Sequence, residues 1–93
     1  MTDHSALLND YLGRPVVVDL TSPFVCIGTL ADADSAFLDL RDADLHDLRD
    51  GRSTREIYVF DSARLGIRRN RSRVLIRFDE VVALTLLADI SEE

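Results

Sequence analysis

Two clusters of charged side chains carry most of the chemistry this 93-residue chain can do. Arg64, Arg68, Arg69, Arg71 and Arg73 crowd one stretch. Guanidinium forks match phosphate oxygens, so such a cluster can track a nucleic-acid backbone, with Tyr58 and Phe60 nearby as stacking surfaces. A solvated basic turn is the competing reading. Asp42, Asp44 and His46 share one face of an extended chain, with Asp47 beside them, and two carboxylates plus an imidazole suit a divalent cation. No second ligand cluster accompanies them, so an acidic segment that meets a neighbour's arginines is the favoured reading, and no metal or other cofactor is expected. Ser35, Ser53, Ser62 and Ser72 lack a His–acid pattern at recognisable spacing, and no glycine loop cradles a phosphate. No enzymatic activity is expected.

The whole chain is acidic, with a formal charge of -6, yet the charge is uneven. Residues 1–50 carry ten acids against three arginines, whereas residues 49–77 carry nine arginines against three acids. All eleven basic residues are arginine. An acidic total argues against indiscriminate nucleic-acid binding, while a local arginine field can still grip phosphates or acidic surfaces. Alternatively, the two segments neutralise each other, within a chain or between neighbours. Cys26 is the single cysteine and excludes an internal disulfide. Its neighbours Phe24, Val25 and Ile27 mark it as a buried apolar residue. No apolar run approaches the roughly 20 residues of a membrane-spanning helix. Met1-Thr2-Asp3-His4 shows neither the basic start nor the apolar core of a secretion signal. A cytoplasmic protein is expected.

The elements that must position these residues are mostly strands. Leu7, Leu8, Tyr11 and Leu12 have helical spacing, which predicts an N-terminal helix over about 5–12, stopped by Gly13 and capping an open end of the fold. Val16, Val18 and Leu20 alternate with Val17 and Asp19, the period of a half-buried strand. Thr21-Ser22-Pro23 is a turn, and a second strand runs from Phe24 to Leu30. Gly28 inside it permits a sharp bend. After a polar turn from Ala31 to Ser35, a third strand runs from Ala36 to about Asp44, with Leu38 and Leu40 facing opposite to Asp39 and Arg41. Residues 46–52 read as an exposed loop. Ser53-Thr54-Arg55-Glu56 has capping-box spacing and predicts a helix over 54–65, with Ile57, Phe60 and Ala63 or Arg64 on its apolar stripe and Gly66 as its stop. A strand at Ile57-Tyr58-Val59-Phe60 is the alternative. A basic turn precedes two strands, Arg73–Phe78 and Val81–Leu87, joined by Asp79-Glu80, and the tail from Ala88 to Glu93 frays.

Two blocks stand out within this order. The first holds Gly28, Leu30 two residues later, Asp34 six later, and Phe37 and Leu38 nine and ten later; the second reads Ile76-Arg77-Phe78, two residues, then Val81. Together they resemble the two-part signature of the Sm and Sm-like family. The resemblance implies a mostly β fold: a small, strongly bent five-stranded open barrel with an N-terminal helix and, here, a helical insert between strands three and four. It spans residues 1–93 as one domain, with the first motif at 16–44, the insert at 45–72 and the second motif at 73–87. It also implies a closed homo-oligomeric ring of roughly five to seven subunits. In that ring the fourth strand of one subunit pairs with the fifth of the next, which assigns Val74, Ile76, Phe78, Val82 and Leu84 to the interface.

The family's ring holds a base on an aromatic or histidine side chain, reads it with Asn and flanks it with the Arg of the second motif. In this chain Ala36 stands at the stacking position and Leu38 at the Asn position. Arg77 matches, with Asp34 as the supporting acid; a structural ion pair between these two is the plainer alternative. Phe78 is a substitute platform, a core residue or an interface residue. The Lys-His pair of the Hfq branch is absent. Single-stranded RNA is thus the implied partner, contacted through Asp34, Phe37, Arg68, Arg69, Arg71 and Arg77, with little uridine preference. The rival reading is a ring-shaped protein-interaction scaffold without nucleic acid.

Overall fold

In the computed structural model, which describes residues 4–51 and 53–91, five strands form one strongly bent antiparallel sheet. The elements run α1 (His4–Leu8), β1 (Pro15–Leu20), β2 (Phe24–Ala33), β3 (Phe37–Asp47), α2 (Arg55–Leu65), β4 (Arg71–Arg77) and β5 (Val81–Leu86), with single 3-10 turns at Phe78–Glu80 and Leu87–Asp89. The order across the sheet is β4-β3-β2-β1-β5, so β4 and β5 are its two edges. The readings placed on residues 1–3, on Arg52 and on residues 92–93 lie outside the described residues. No helix among the described residues is long and apolar enough to cross a membrane.

Strand-forming sequence explains β1 to β3. Pro15 opens β1, where its missing N–H costs no ladder bond, and the Val16-Val17-Val18 run follows. Bending is concentrated at Gly28, where β2 pairs with a bulge in β3: Ile27 faces Asp44, and Thr29 faces Arg41. A Cβ on Gly28 would lie 2.8 Å from the Ala43 Cβ, so glycine is required there by close approach of β3. Asp42 completes the bulge with φ 49, a conformation that Asp tolerates better than most residues.

The sheet is packed on both faces. Inside the bend lie Val16, Val18, Cys26, Leu30, Leu38, Leu40, Ala43, Ile76 and Leu86. Burial, and to a smaller degree the nearby Asp44 charge, pushes the Cys26 thiol up to about 12. The outer face of β1 and β2 forms a second cluster of Val17, Val25 and Ile27 beneath Val59 of α2, with Leu48, Tyr58, Ile67, Leu87 and Ile90 around it. Ile90 therefore packs, and the fraying expected of the tail does not begin at Ala88.

Several local expectations are corrected. The N-terminal helix ends at Leu8 and continues as turns to Gly13, and of its expected apolar residues Tyr11 packs on the core while Leu7 and Leu12 are exposed. Val17 is buried because α2 covers the outer face. β2 and β3 extend to Ala33 and Asp47, and β4 begins at Arg71. Residues 55–65 are helical, but the cap is Thr54, whose Oγ1 accepts from the Ile57 N–H at 3.3 Å. With Thr54 as the cap, Ile57 occupies the place a box would give to Glu, and no box forms. The buried face of α2 is Val59 and Ser62, with Tyr58 beside them, while Ile57 is 51% exposed. Gly66 closes the helix as expected, with φ 102 and its N–H on the Ser62 carbonyl.

Candidate functional site

The candidate RNA contacts divide between the two ends of β4. Phe37 and Arg77 are paired partners in the register, and Ala43 pairs with Arg71 at the opposite end. At about 3.3 Å per residue the two ends lie roughly 20 Å apart.

At the first end, Asp34 shapes the β2–β3 turn. Its Oδ1 accepts from the backbone N–H groups of Phe37 (2.7 Å) and Ala36 (2.8 Å), which hold its carboxyl below the usual range. Arg77 instead donates to Asp79 at 3.0 Å, with both side chains largely exposed. The Asp34–Arg77 ion pair, the alternative reading of these two residues, is therefore not formed, because each group has a nearer local partner. Phe37 is 40% exposed, beside Leu75, Asp39 and Arg73. Leu38, at the position where the family carries Asn, is 1% exposed inside the core and presents nothing to a base.

Midway along the ribbon, Asp39 accepts two guanidinium forks. Arg41 donates to Oδ1 and Oδ2 at 2.9 and 3.2 Å, and Arg73 donates to both at 3.2 Å. Arg41 first and Arg73 second hold the Asp39 carboxyl down to about 2. One carboxylate against two guanidiniums leaves this cross-strand cluster with one positive charge in excess.

The second end is anchored by Asn70, which the sequence reading placed merely within a basic turn. Its Nδ2 donates to Asp44 Oδ1 (2.9 Å) and to the Leu45 carbonyl (3.1 Å), its Oδ1 accepts from the Leu45 N–H (2.9 Å), and its own N–H donates to the Ala43 carbonyl (2.9 Å). The Tyr58 hydroxyl donates to Asp44 Oδ2. Burial, then that bond, keeps this hydroxyl protonated far above its ordinary range. His46 stacks on Tyr58 with ring centroids 4.0 Å apart and planes within 10°. The sequence signal for this network was an amide among arginines in a turn, a residue type that commonly bonds to backbone.

The bulge at Asp42 also breaks the strand parity on which a cation site depended. Asp42 turns outward to Arg69 at 3.4 Å, Asp44 turns inward and His46 stacks on Tyr58. Among the described residues no group of three metal-binding side chains converges. Arg69 and Arg77 thus carry acid partners, whereas Arg68 and Arg71 have none among the described residues. Of the expected interface side chains, Ile76 lies in the chain's own core, Val74, Phe78 and Leu84 pack against it, and Val82 is 66% exposed.

Neither a protein-family model nor a curated protein matches the sequence. Solved structures do. An Sm protein of Pyrococcus abyssii in complex with a uridine heptamer is 21% identical, covering 91% of this chain and 99% of its own, with TM-score 0.62. An Sm-like protein of Archaeoglobus fulgidus is 15% identical over 92% of this chain and 96% of its own, with TM-score 0.60. A heptameric archaeal Sm protein is 22% identical over 87% and 96%, with TM-score 0.58. These likenesses, with the five bent antiparallel strands, the short N-terminal helix and the helix after β3, identify the architecture of this chain as the Sm-like fold.

Proposed function

We propose that this chain assembles into a closed homo-oligomeric ring in the cytoplasm, and that the ring associates with single-stranded RNA mainly through phosphates. The observation that carries the ring is the position of β4 and β5 at the two open edges of one sheet. Unpaired edges of that kind aggregate unless they pair, and a head-to-tail contact of β4 with the next subunit's β5 closes into a ring. Because Val74, Ile76, Phe78 and Leu84 serve the chain's own core, the contact rests on the backbone ladder and on exposed side chains such as Val82 and Leu75. A heptameric archaeal Sm protein and an Sm protein holding a uridine heptamer share the fold, which supports both halves of the proposal.

RNA contact falls to Arg68 and Arg71, with Arg69 and Arg77 released from their exposed acid partners, and to the Asp34–Phe37 turn. Ala36 and the buried Leu38 supply neither a stacking surface nor a hydrogen bond, so uridine preference is weak. Binding is instead steep in salt, since each neutralised phosphate of a single strand releases about 0.7 counterions.

The test titrates oligo-uridine and oligo-adenosine at two salt concentrations into wild type and an Arg68/Arg69/Arg71→Ala variant, after light scattering has fixed the mass. A monomer at micromolar concentration defeats the ring, and Val82→Pro at the β5 edge should abolish it. Uridine-selective binding that ignores the triple change moves the site to Asp34, Phe37 and Arg77. A second reading, a protein scaffold, is favoured by the in-chain partners of Arg41, Arg49, Arg55, Arg64, Arg69, Arg73 and Arg77. No RNA binding at any salt, with a stoichiometric protein partner co-purifying, selects it.

A further inference from the structure

Between α2 and the far end of β3 lies a cavity of about 680 Å³, within the size range of small-ligand sites. Asp44, His46, Tyr58, Ser62, Arg68 and Asn70 line it. Asp44 is 6% exposed, and its two oxygens accept from the neutral donors Tyr58 and Asn70. No arginine lies within ion-pair distance of it among the described residues, in contrast to Asp39 with two. Each oxygen of a carboxylate has two lone pairs, and each Asp44 oxygen accepts one hydrogen bond here, which leaves acceptor capacity for a ligand. A buried carboxylate served by neutral groups alone favours a ligand that brings further donors. The stacked His46–Tyr58 pair adds aromatic surface, and Arg68 adds a guanidinium without an acid partner among the described residues.

We propose that this cavity is a nucleotide site selective for guanine. Guanine alone among the common bases presents two adjacent donors, N1–H and the N2 amino group, which match the two oxygens of one carboxylate. Uracil presents a single N–H between two carbonyl oxygens, which a carboxylate repels. Adenine and cytosine offer one amino group beside an acceptor. The phosphate falls to Arg68. The site is distinct from the Asp34–Phe37 end and does not depend on the ring or on the phosphate-tracking reading. Its ligand is a guanine nucleotide, either free or as one residue of a strand.

Isothermal titration of the full chain with GMP, AMP and UMP tests this, with backbone amide shifts as a second readout. GMP should bind at least about tenfold more tightly than UMP, since a site built to hydrogen-bond one partner rejects one that lacks those donors. Shifts should centre on residues 44–46, 58–62 and 68. Arg68→Ala, an exposed change, should weaken GMP by about tenfold and leave guanosine unaffected, consistent with loss of one charged hydrogen bond. Asp44→Asn should erase the guanine preference; if that variant unfolds, Arg68→Ala and the comparison of bases still decide. Equal affinity for GMP and UMP, no binding at millimolar GMP, or shifts located at residues 34–37 would overturn the proposal. Competition separates the two sources. A single-guanosine oligo-uridine that displaces GMP identifies a residue of a strand, and GMP binding that no oligonucleotide disturbs identifies the free nucleotide.

Discussion

The two ends of the β3–β4 ribbon carry the same kinds of residue in opposite states of order. At the Ala43–Arg71 end, buried Asp44 is held by half-buried Tyr58 and by exposed Asn70, a network that ties β3, the segment leading into β4 and α2 together. At the Phe37–Arg77 end, among the described residues, Asp34 bonds to its own turn and Arg77 to exposed Asp79. Buried polar groups must be satisfied or they cost stability, so the end that holds buried Asp44 is sensitive to change. Exposed ion pairs contribute little, so the second end keeps an arginine free to leave its acid for a phosphate. A single fold thus offers one pre-organised cavity and one adaptable surface.

The largest expected difference between the ends comes from Asn70→Ala, which removes one of the two donors to buried Asp44 and the side-chain partner of the Leu45 N–H and carbonyl. It should lower the unfolding free energy by about 3 kcal/mol in urea titration, whereas Arg77→Ala should change it by less than about 0.5 kcal/mol. Equal effects would erase the contrast. Gly28→Ala probes the bend that sets the Asp44 end: its Cβ meets Ala43 at 2.8 Å, and a loss of about 2 kcal/mol is expected by the same measurement. Thr54→Ala should cost about 1 kcal/mol, and Ser53→Ala should stay within about 0.5 kcal/mol, which discriminates the observed cap from the one expected of a capping box. The smallest effect concerns acid. Asp39 is held down to about 2 by Arg41 and Arg73, below its unfolded value of about 3.9. Its contribution is therefore complete above about pH 4 and fades as pH falls toward 2. Asp39→Asn should flatten the stability profile across that window, with little change in the folded spectrum.

Element type was legible in the chain because its signals are local. Val16-Val17-Val18 favours a strand wherever it packs, Gly66 can stop a helix in any context, and Asp34 caps a turn with groups two and three residues away. Gly28, Leu30 and Asp34 with Ile76-Arg77 pointed to the fold in a different way, through their resemblance to a family signature. Faces and partners were less legible. The stripe Ile57–Phe60–Arg64 is as regular as the buried one, and only the covered face of β1 and β2 selected Tyr58, Val59 and Ser62. Ser53 and Thr54 are chemically equivalent caps, and the exact start of α2 chose between them.

By itself, then, the sequence determined the order of strands and helices, the isolation of Cys26 in an apolar setting and the uneven placement of arginine and aspartate. These depend on residue type and short-range spacing, which the chain carries wherever it goes. Tertiary structure decided which charges cancel and which stay available. Asp39 met Arg73 across the sheet, Asp42 met Arg69 through a bulge, and Arg77 met Asp79 instead of Asp34. It also decided that Asp44 would face a cavity beside Tyr58, Asn70 and Arg68. The physical reason is reach: hydrogen bonds and ion pairs act over a few ångströms, so the bend at Gly28 and the docking of α2 select among many partners that composition leaves equal.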